Sequence, residues 1–433
     1  MSTKFISLPA DELPEYDVVV AGGGPAGCAA AISAAREGKR TLLIERSGFL
    51  GGMSSGGLVP EFCPYTDGKK ILHHGIAERV LMEMKKETPE PPEKLDYSAI
   101  DAERMKLILD RMVREAGAAV RFHTLVCGAE KLREDRISSI YLADKNGIHV
   151  CRGKVFIDCT GDADLAAFAG CEYLVGDEEG KTQLPTLCFD MCGVDDGGGE
   201  GNAAWNLPKD IRRKIVEDEE FPLIDNTFFC SMKLGGDLYG FNAGHVRGVD
   251  CLSAESISLG MMEGREKAFQ YRDALRKYQP EVFGQAQITA TAPMLGIRET
   301  RRIRGDYVLT IEDYLERRDF RDEIGRNCYH IDVHDAAGFY GGDKKRYERY
   351  GAGESHGIPY RCLVPKGIDN LLVAGRAISC DRNVQGSLRI IPTCFVTGEA
   401  AGAAASMAVD RACTTHEIDV DALKKILEKY QVK

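Results

Sequence analysis

Two groups of residues in this sequence have the types and spacing to do chemistry. The first is Asp17-Val-Val-Val-Ala-Gly-Gly-Gly-Pro-Ala-Gly-Cys28, followed by Thr41-Leu-Leu-Ile-Glu45. Its glycines at 22, 24 and 27 fit Gly-x-Gly-x-x-Gly, and the acid at 45 lies 18 residues past the last of them. Gly22 permits a tight turn, Gly24 lets backbone approach a pyrophosphate, and Gly27 lets a helix close onto a strand. A helix starting at Pro25-Ala26 would offer free N–H groups and a partial positive charge to the phosphates. Glu45 can accept hydrogen bonds from a ribose hydroxyl pair. That is dinucleotide-binding chemistry. The second group is Tyr329-His-Ile-Asp-Val-His-Asp335. An extended backbone there puts His330, Asp332 and His334 on one face, where a carboxylate beside imidazoles makes an acid/base pair. The same residues also read as the polar side of a solvent-facing strand, or as converging metal ligands. Arg298, Arg301 and Arg389 offer forked donors for an anionic or polar substrate, or for surface acids.

The elements that must position these groups follow from the apolar pattern. Asp17–Ala21 and Thr41–Ile44 read as buried strands flanking an alanine-rich helix that ends near Gly38. The glycine-rich loop Arg46-Ser-Gly-Phe-Leu-Gly-Gly-Met53 comes next. His73-His74-Gly75 opens an amphipathic helix, and adjacent histidines cannot share a helical face, which argues against a metal pair. Met105, Ile108, Leu109 and Met112 are at helical spacing and predict a helix over 101–116. A strand is expected from Ala118 to Val126, then a hairpin turning at Asn146-Gly147, then a separate strand, Cys151–Asp158, ending at Cys159-Thr-Gly-Asp162. Such a strand end leaves donors and a carboxylate at the edge where open α/β sheets bind ligands.

From about 170 to 350 strand-like segments (186–192, 227–233, 238–243) alternate with loops, joined by a long helix from Ser253 to Tyr278. The glycine clusters at 197–201 and 338–344 lack phosphate-loop spacing, and Trp205 is expected to pack a second domain. The first pattern then returns. Asn370-Leu-Leu-Val-Ala-Gly-Arg376 is a short buried strand, and Asp381–Arg389 leads to a small-residue helix over 395–409. Its start, near Thr393-Cys394, aims donors at a ligand.

The chain has 433 residues, 44% of them hydrophobic and 28% charged, as expected of a globular protein of two or three domains. A net charge of −11 disfavours nucleic acid and anionic membranes as partners. No signal-peptide h-region and no membrane-length apolar run occurs, so the expected location is cytoplasmic. The 15 cysteines include no Cys-x-x-Cys and read as reduced, buried thiols.

In order, these segments resemble the FAD-dependent oxidoreductases of the glutathione-reductase-like superfamily. The resemblance rests on Gly22–Gly27 with Glu45, Gly51-Gly52-Met53, Ile157–Asp164 and Met294–Ile303. It continues through Ile331–His334, Ile358–Pro365, Asn370–Arg376 and the turn from Arg389 to Cys394. It implies an α/β fold, with a Rossmann-like FAD-binding domain of the glutathione-reductase type and an inserted α+β substrate domain. The expected boundaries are 1–168 and 355–433 for the FAD-binding parts and 169–354 for the substrate or cap domain.

FAD is the cofactor this resemblance implies. Gly22, Gly24, Pro25, Ala26 and Gly27 would hold its pyrophosphate, and Glu45 its ribose. Arg46, Gly52 and Met53 would lie near the ribityl chain and flavin, and Val126 near adenine. Thr160, Gly161 and Asp162 would close over the cofactor, with Gly375-Arg376 beside the pyrophosphate. Thr393 and Cys394 would start the helix that faces the flavin. Related enzymes often carry an acid where this chain has Arg376. The expected activity is hydride transfer between flavin N5 and a small polar molecule (an alcohol, sugar, hydroxy acid or unsaturated acid). Asp332, His334, Arg298 and Arg389 are its candidate catalytic residues, with no metal, since hydride transfer to flavin needs none. His245, Tyr329 and Tyr360 are weaker candidates for the pocket wall. No second nucleotide fold is visible, so a separate electron donor or acceptor is expected. The alternatives are a flavin monooxygenase or a non-catalytic FAD-binding electron-transfer subunit.

Overall fold

Three consecutive β-branched residues, Val18-Val19-Val20, are fully buried in the strand Tyr16–Ala21. Such a run suits a strand covered on both faces, which is the situation of a parallel sheet. A computed structural model describes residues 7–88, 90–91, 93–197, 207–335, 338–339 and 349–431. In it Tyr16–Ala21 lies between Thr41–Ile44 and the long strand Gly147–Asp158, parallel to both. Ala119–Arg121 extends the sheet beyond Thr41–Ile44, and Leu371–Val373 pairs in parallel with the end of Gly147–Asp158. The first half of Gly147–Asp158 serves a different layer. It pairs with Arg136–Asp144 in an antiparallel hairpin, and Leu125–Arg133 continues that layer.

Helices Pro25–Arg36 and Ile391–Arg411 pack against each other and against the parallel sheet. Their contact is close because both faces are nearly bare. A Cβ on Gly398 would fall 2.0 Å from the carbonyl oxygen of Ala26, and one on Gly402 would fall 2.2 Å from that of Ala30. Glu399 lies between these glycines. Its carboxylate takes an ion pair from Arg36 (2.6 Å) and caps helix Ile76–Lys85 through the N–H of Ile76 (2.9 Å). One buried acid therefore ties three helices together.

A second sheet, ordered Phe229–Gly235, Leu238–Ala243, Phe189–Cys192, Gln287–Thr291, is antiparallel throughout. Helix Ala254–Tyr278 covers it through Ala268, Tyr271 and Leu275, over a separate aromatic core of Phe189, Phe229, Phe241 and Phe283.

Four expectations need correction. Residues 118–126 are not one strand: the chain turns at His123, whose φ is +50°, between Ala119–Arg121 and Leu125–Arg133. The two strands expected over 147–158 are a single one. Residues 381–389 fold into a helix, Arg382–Leu388, capped by Asp381 accepting from the N–H of Val384 (2.8 Å). Residues 329–333 form no strand; only His334–Asp335 pairs, with Gly338–Phe339. Their backbone is tied elsewhere, the carbonyl of Tyr329 to Ser387 Oγ (2.5 Å) and that of His334 to the N–H of Leu184 (2.8 Å). Trp205 and most of the glycine clusters at 197–201 and 338–344 lie outside the described residues.

Candidate active site

Parallel strands present their carboxyl ends on one edge, and here four of the cofactor motifs in the sequence start at such an end. Tyr16–Ala21 runs into Gly22, Thr41–Ile44 into Glu45, Gly147–Asp158 into Thr160, and Leu371–Val373 into Gly375. A cavity of about 360 Å³ opens along that edge. One end is lined by Gly22, Gly24, Pro25, Ala26, Glu45 and Arg46. Gly52, Met53, Thr160, Gly161, Gly375, Arg376 and Cys394 continue the wall. The same cavity reaches Arg298, Asp332, His334 and Arg389. Residues from opposite ends of the chain thus share one space.

The glycine end is built from bare backbone. Gly22 has a φ of +97°, and a Cβ there would fall 2.4 Å from the carbonyl oxygen of Cys159. On Gly52 a Cβ would lie 3.0 Å from the Cα of Gly24. Gly24 caps helix Pro25–Arg36 with no side chain bonding to the helix N–H groups, so those donors face the cavity unspent. Helix Ile391–Arg411 likewise starts without a side-chain cap, and its Ile390 and Ile391 line the wall. Glu45 accepts from the N–H of Gly23 (2.6 Å) and of Ser47 (2.7 Å). Arg376 bonds to Asp162 (2.6 Å), and its Nε is buried without a partner among the described residues. Burial opposes charge on Asp162, but Arg376 and the Thr300 hydroxyl outweigh it and hold the carboxyl below its usual range.

At the far end, Asp332 bonds to His334 Nε2 (3.0 Å) and to Arg389 Nη2 (2.9 Å). His334 Nδ1 lies 2.8 Å from His245 Nε2. Burial works against charge on Asp332, yet His334 and Arg389 keep it ionised well below the usual carboxylate range. Burial, then Arg298, pushes His334 down to about 4 against the pull of Asp332. Burial, with Arg298 and His334 adding to it, lowers His245 to about 2. At neutral pH the row is a carboxylate followed by two neutral imidazoles. Arg298 Nη1 donates to the carbonyl of Leu184 (2.7 Å) and to Thr186 Oγ1 (2.9 Å), with its guanidinium over Phe228.

Several expected residues stand off the cavity wall. Gly27 lies behind it, where a Cβ would meet the carbonyl of Gly22 at 1.7 Å, the close helix–strand contact its position requires. Val126 is buried in a cluster with Ile137 and Leu142. Asp162 acts through Arg376, and the Thr393 hydroxyl donates to Asn327 Oδ1 (3.2 Å). Arg301 is no substrate anchor: it holds the carbonyl of Asp162 (2.9 Å) and the carboxylate of Asp164 (2.8 Å). Tyr360 donates to the carbonyl of Thr415 (2.8 Å) inside the core, away from the cavity. His330 and Tyr329 do line the cavity, while His245 reaches it through His334.

Cys394 lines the wall, as expected of a residue facing the cofactor, and Cys63, Cys159, Cys188 and Cys230, expected as core thiols, line it as well. The sequence reading passed over Glu61, whose Oε1 accepts from Cys230 Sγ (3.1 Å). Burial pushes the Glu61 carboxyl up and the Cys63 thiol up as well. Glu61-x-Cys63 carries no local signal, because the thiol Glu61 meets, Cys230, lies 169 residues away on the strand Phe229–Gly235. Among the described residues no cluster of His, Cys, Asp and Glu is arranged to hold a metal. No helix among them is long and apolar enough to cross a membrane.

The family model for FAD-dependent oxidoreductases matches residues 17–427, and the chain belongs to that family. It is an enzyme of the flavoprotein oxidoreductase class, with FAD as its cofactor. Two curated relatives are thiamine thiazole synthases. That of Desulfosudis oleivorans is 32% identical over 157 residues, covering 34% of this chain and 57% of the relative. That of Methanococcus vannielii is 32% identical over 172 residues, covering 36% of this chain and 60% of the relative. Among solved structures, the myxobacterial chondrochloren halogenase is 15% identical with a TM-score of 0.49, over 96% of this chain and 79% of that one. The p-nitrophenol 4-monooxygenase of Pseudomonas putida is 12% identical with a TM-score of 0.49, over 97% and 84%.

The residues present fit FAD. The glycine cradle closes if Gly22 or Gly52 gains a Cβ, two helix N-termini face the cavity uncapped, and Arg46 forms no ion pair among the described residues. Gly22, Gly24, Pro25 and Ala26 would hold the pyrophosphate, Glu45 the ribose, and Arg46 would lie near the ribityl chain.

Proposed function

We propose that this protein is an FAD-dependent dehydrogenase or reductase acting on a small polar organic substrate held at the Arg298–Asp332–His334–Arg389 end of the cavity. The observation that carries this is the buried row Arg389–Asp332–His334–His245 in the same cavity as the glycine cradle. Bound FAD supplies a ring that takes or gives a hydride at N5. His334, oriented by the Asp332 carboxylate, takes the proton that leaves a substrate hydroxyl, or returns it. Two neutral imidazoles in series give that proton a second position to move to. Arg389 fixes the Asp332 carboxylate, and Arg298 faces the substrate.

The packing supports a division of labour along the chain. Residues 1–168 and 355–433 make an FAD-binding domain of the glutathione-reductase type, supported by Leu371–Val373 closing the parallel sheet. Residues 169–354 make the substrate domain, supported by the separate antiparallel sheet and its own aromatic core. Electrons pass to or from a separate protein, a quinone-like compound or oxygen.

Anaerobic addition of alcohols, sugars, hydroxy acids and amines to the oxidised holoenzyme tests the proposal, with unsaturated acids added to the reduced form. One class bleaching or reoxidising the flavin is the expected result. Turnover that instead places an oxygen atom from O₂ in the product would make the protein a monooxygenase. A flavin that responds to no small molecule, only to electron-carrier proteins, would make it an electron-transfer subunit.

A further inference from the structure

Arg298 is 7% exposed and lines the cavity, yet no carboxylate among the described residues is in ion-pair contact with it. Its hydrogen-bond partners among the described residues are neutral: the carbonyl of Leu184, the hydroxyl of Thr186 and, at 3.3 Å, the amide oxygen of Asn242. The nearby carboxylate, Asp332, is already committed to Arg389 and His334. Glu61, also on the wall, has its carboxyl pushed up by burial and accepts from Cys230 Sγ, with no ion-pair contact to Arg298. Of the two guanidinium groups at the far end of the cavity, only that of Arg389 is in ion-pair contact with a carboxylate among the described residues. A buried ion without a counter-ion is costly to keep, and burial together with Arg389 lowers Arg298 to about 10, still charged at neutral pH.

The guanidinium also has an open edge. Nη1 is spent on Leu184 and Thr186, while Nη2 makes only the long contact to Asn242 and Nε makes none among the described residues. Nε–H and Nη2–H lie side by side and match a planar two-oxygen acceptor. We infer that the substrate carries a carboxylate, and that Arg298 binds it through this edge as the missing counter-ion. This narrows the proposed substrate class to organic acids and rests on the reading of this cavity end as the substrate site.

The test is titration of the oxidised, FAD-loaded protein with acetate, glycolate and benzoate, each paired with its amide, following the visible flavin spectrum and the melting temperature. The acids should bind on the order of tenfold to a hundredfold tighter than the amides. Arg298→Gln should lose that preference, keep its FAD, and melt no lower than the parent in the absence of acid. Arg298→Lys, which keeps the charge but not the two-pronged edge, should retain part of the preference. Acids and amides binding alike would overturn the inference. So would an undiminished preference in Arg298→Gln, chloride competing as well as the acids do, or loss of FAD from Arg298→Gln, which would assign the arginine to the cofactor. Bleaching by neutral alcohols without an acid preference would overturn this inference and leave hydride transfer standing. An acid preference with no bleaching by any compound would do the reverse.

Discussion

Glu45 accepts from the N–H of Gly23 and of Ser47 as well as facing the cavity, so its carboxylate shapes the glycine turn before any ribose arrives. The two roles can be separated. Glu45→Gln keeps one carbonyl acceptor, while Glu45→Arg loses both and puts a cation against the helix N-terminus. A hydrogen bond to a charged group contributes about 1.5–3 kcal/mol. Glu45→Arg should therefore lose roughly tenfold or more in FAD affinity, and Glu45→Gln less, measured as flavin released on dilution. Equal FAD retention in both variants would show that the carboxylate does not reach the ribose. The residue was legible because an acid closing a strand–glycine–helix–strand unit is a short-range pattern. Glu61, Cys188 and Cys230 were not, because what makes them notable is the cavity they share.

At the scale of elements, the contact between helices Pro25–Arg36 and Ile391–Arg411 decides where two uncapped N-termini point. Gly398 and Gly402 admit Ala26 and Ala30 at distances no Cβ tolerates. Gly398→Ala should force the helices apart at a cost of about 1–3 kcal/mol in urea unfolding. Because both N-termini line the cavity, it should also weaken FAD binding, which a substitution of exposed Lys425 on helix Val420–Lys429 should not do. A Gly398→Ala protein with parental stability and affinity would refute this packing argument. The glycine–alanine pattern announced a close neighbour in the sequence but did not say which. The helix Arg382–Leu388 was missed because its cap, Asp381, stood among residues read as loop, and its buried face is satisfied only by tertiary contacts.

The whole molecule should be sensitive to acid, for a reason distributed over its interior. His73 and His356 are fully buried, and burial lowers each to about 3, aided by His74 and Arg326 respectively. His334 and His245 are depressed as well. All four are neutral in the native state, whereas an unfolded imidazole takes a proton below about pH 6.5. The unfolded chain then binds more protons, so stability present above that pH is lost as pH falls toward 4. Each such histidine costs about 1.4 kcal/mol per pH unit within that window. Urea unfolding at about pH 7 and about pH 5 should show the loss, and His73→Leu should reduce it by one histidine's share. An unchanged slope in that variant would mean His73 is protonated in the native state. Neither ring nitrogen of His73 has a hydrogen-bond partner among the described residues, so nothing there offsets a buried charge.

The sequence by itself determined the dinucleotide cradle, the parallel strands that end at it and the small-residue helix that returns to it. Each of these is written in contiguous residues whose turn geometry, apolar period or lack of a Cβ acts locally. It also supplied Asp332, His334, Arg298 and Arg389 as candidates, but by residue type, and for Asp332 and His334 through a strand that does not form. Only the tertiary structure decided that these four share one cavity, that Arg301 and Tyr360 face elsewhere, and that Arg298 has no counter-ion among the described residues. The physical reason is that burial and charge balance belong to surroundings assembled from distant segments. A residue's cost of being charged cannot be read until those segments have met.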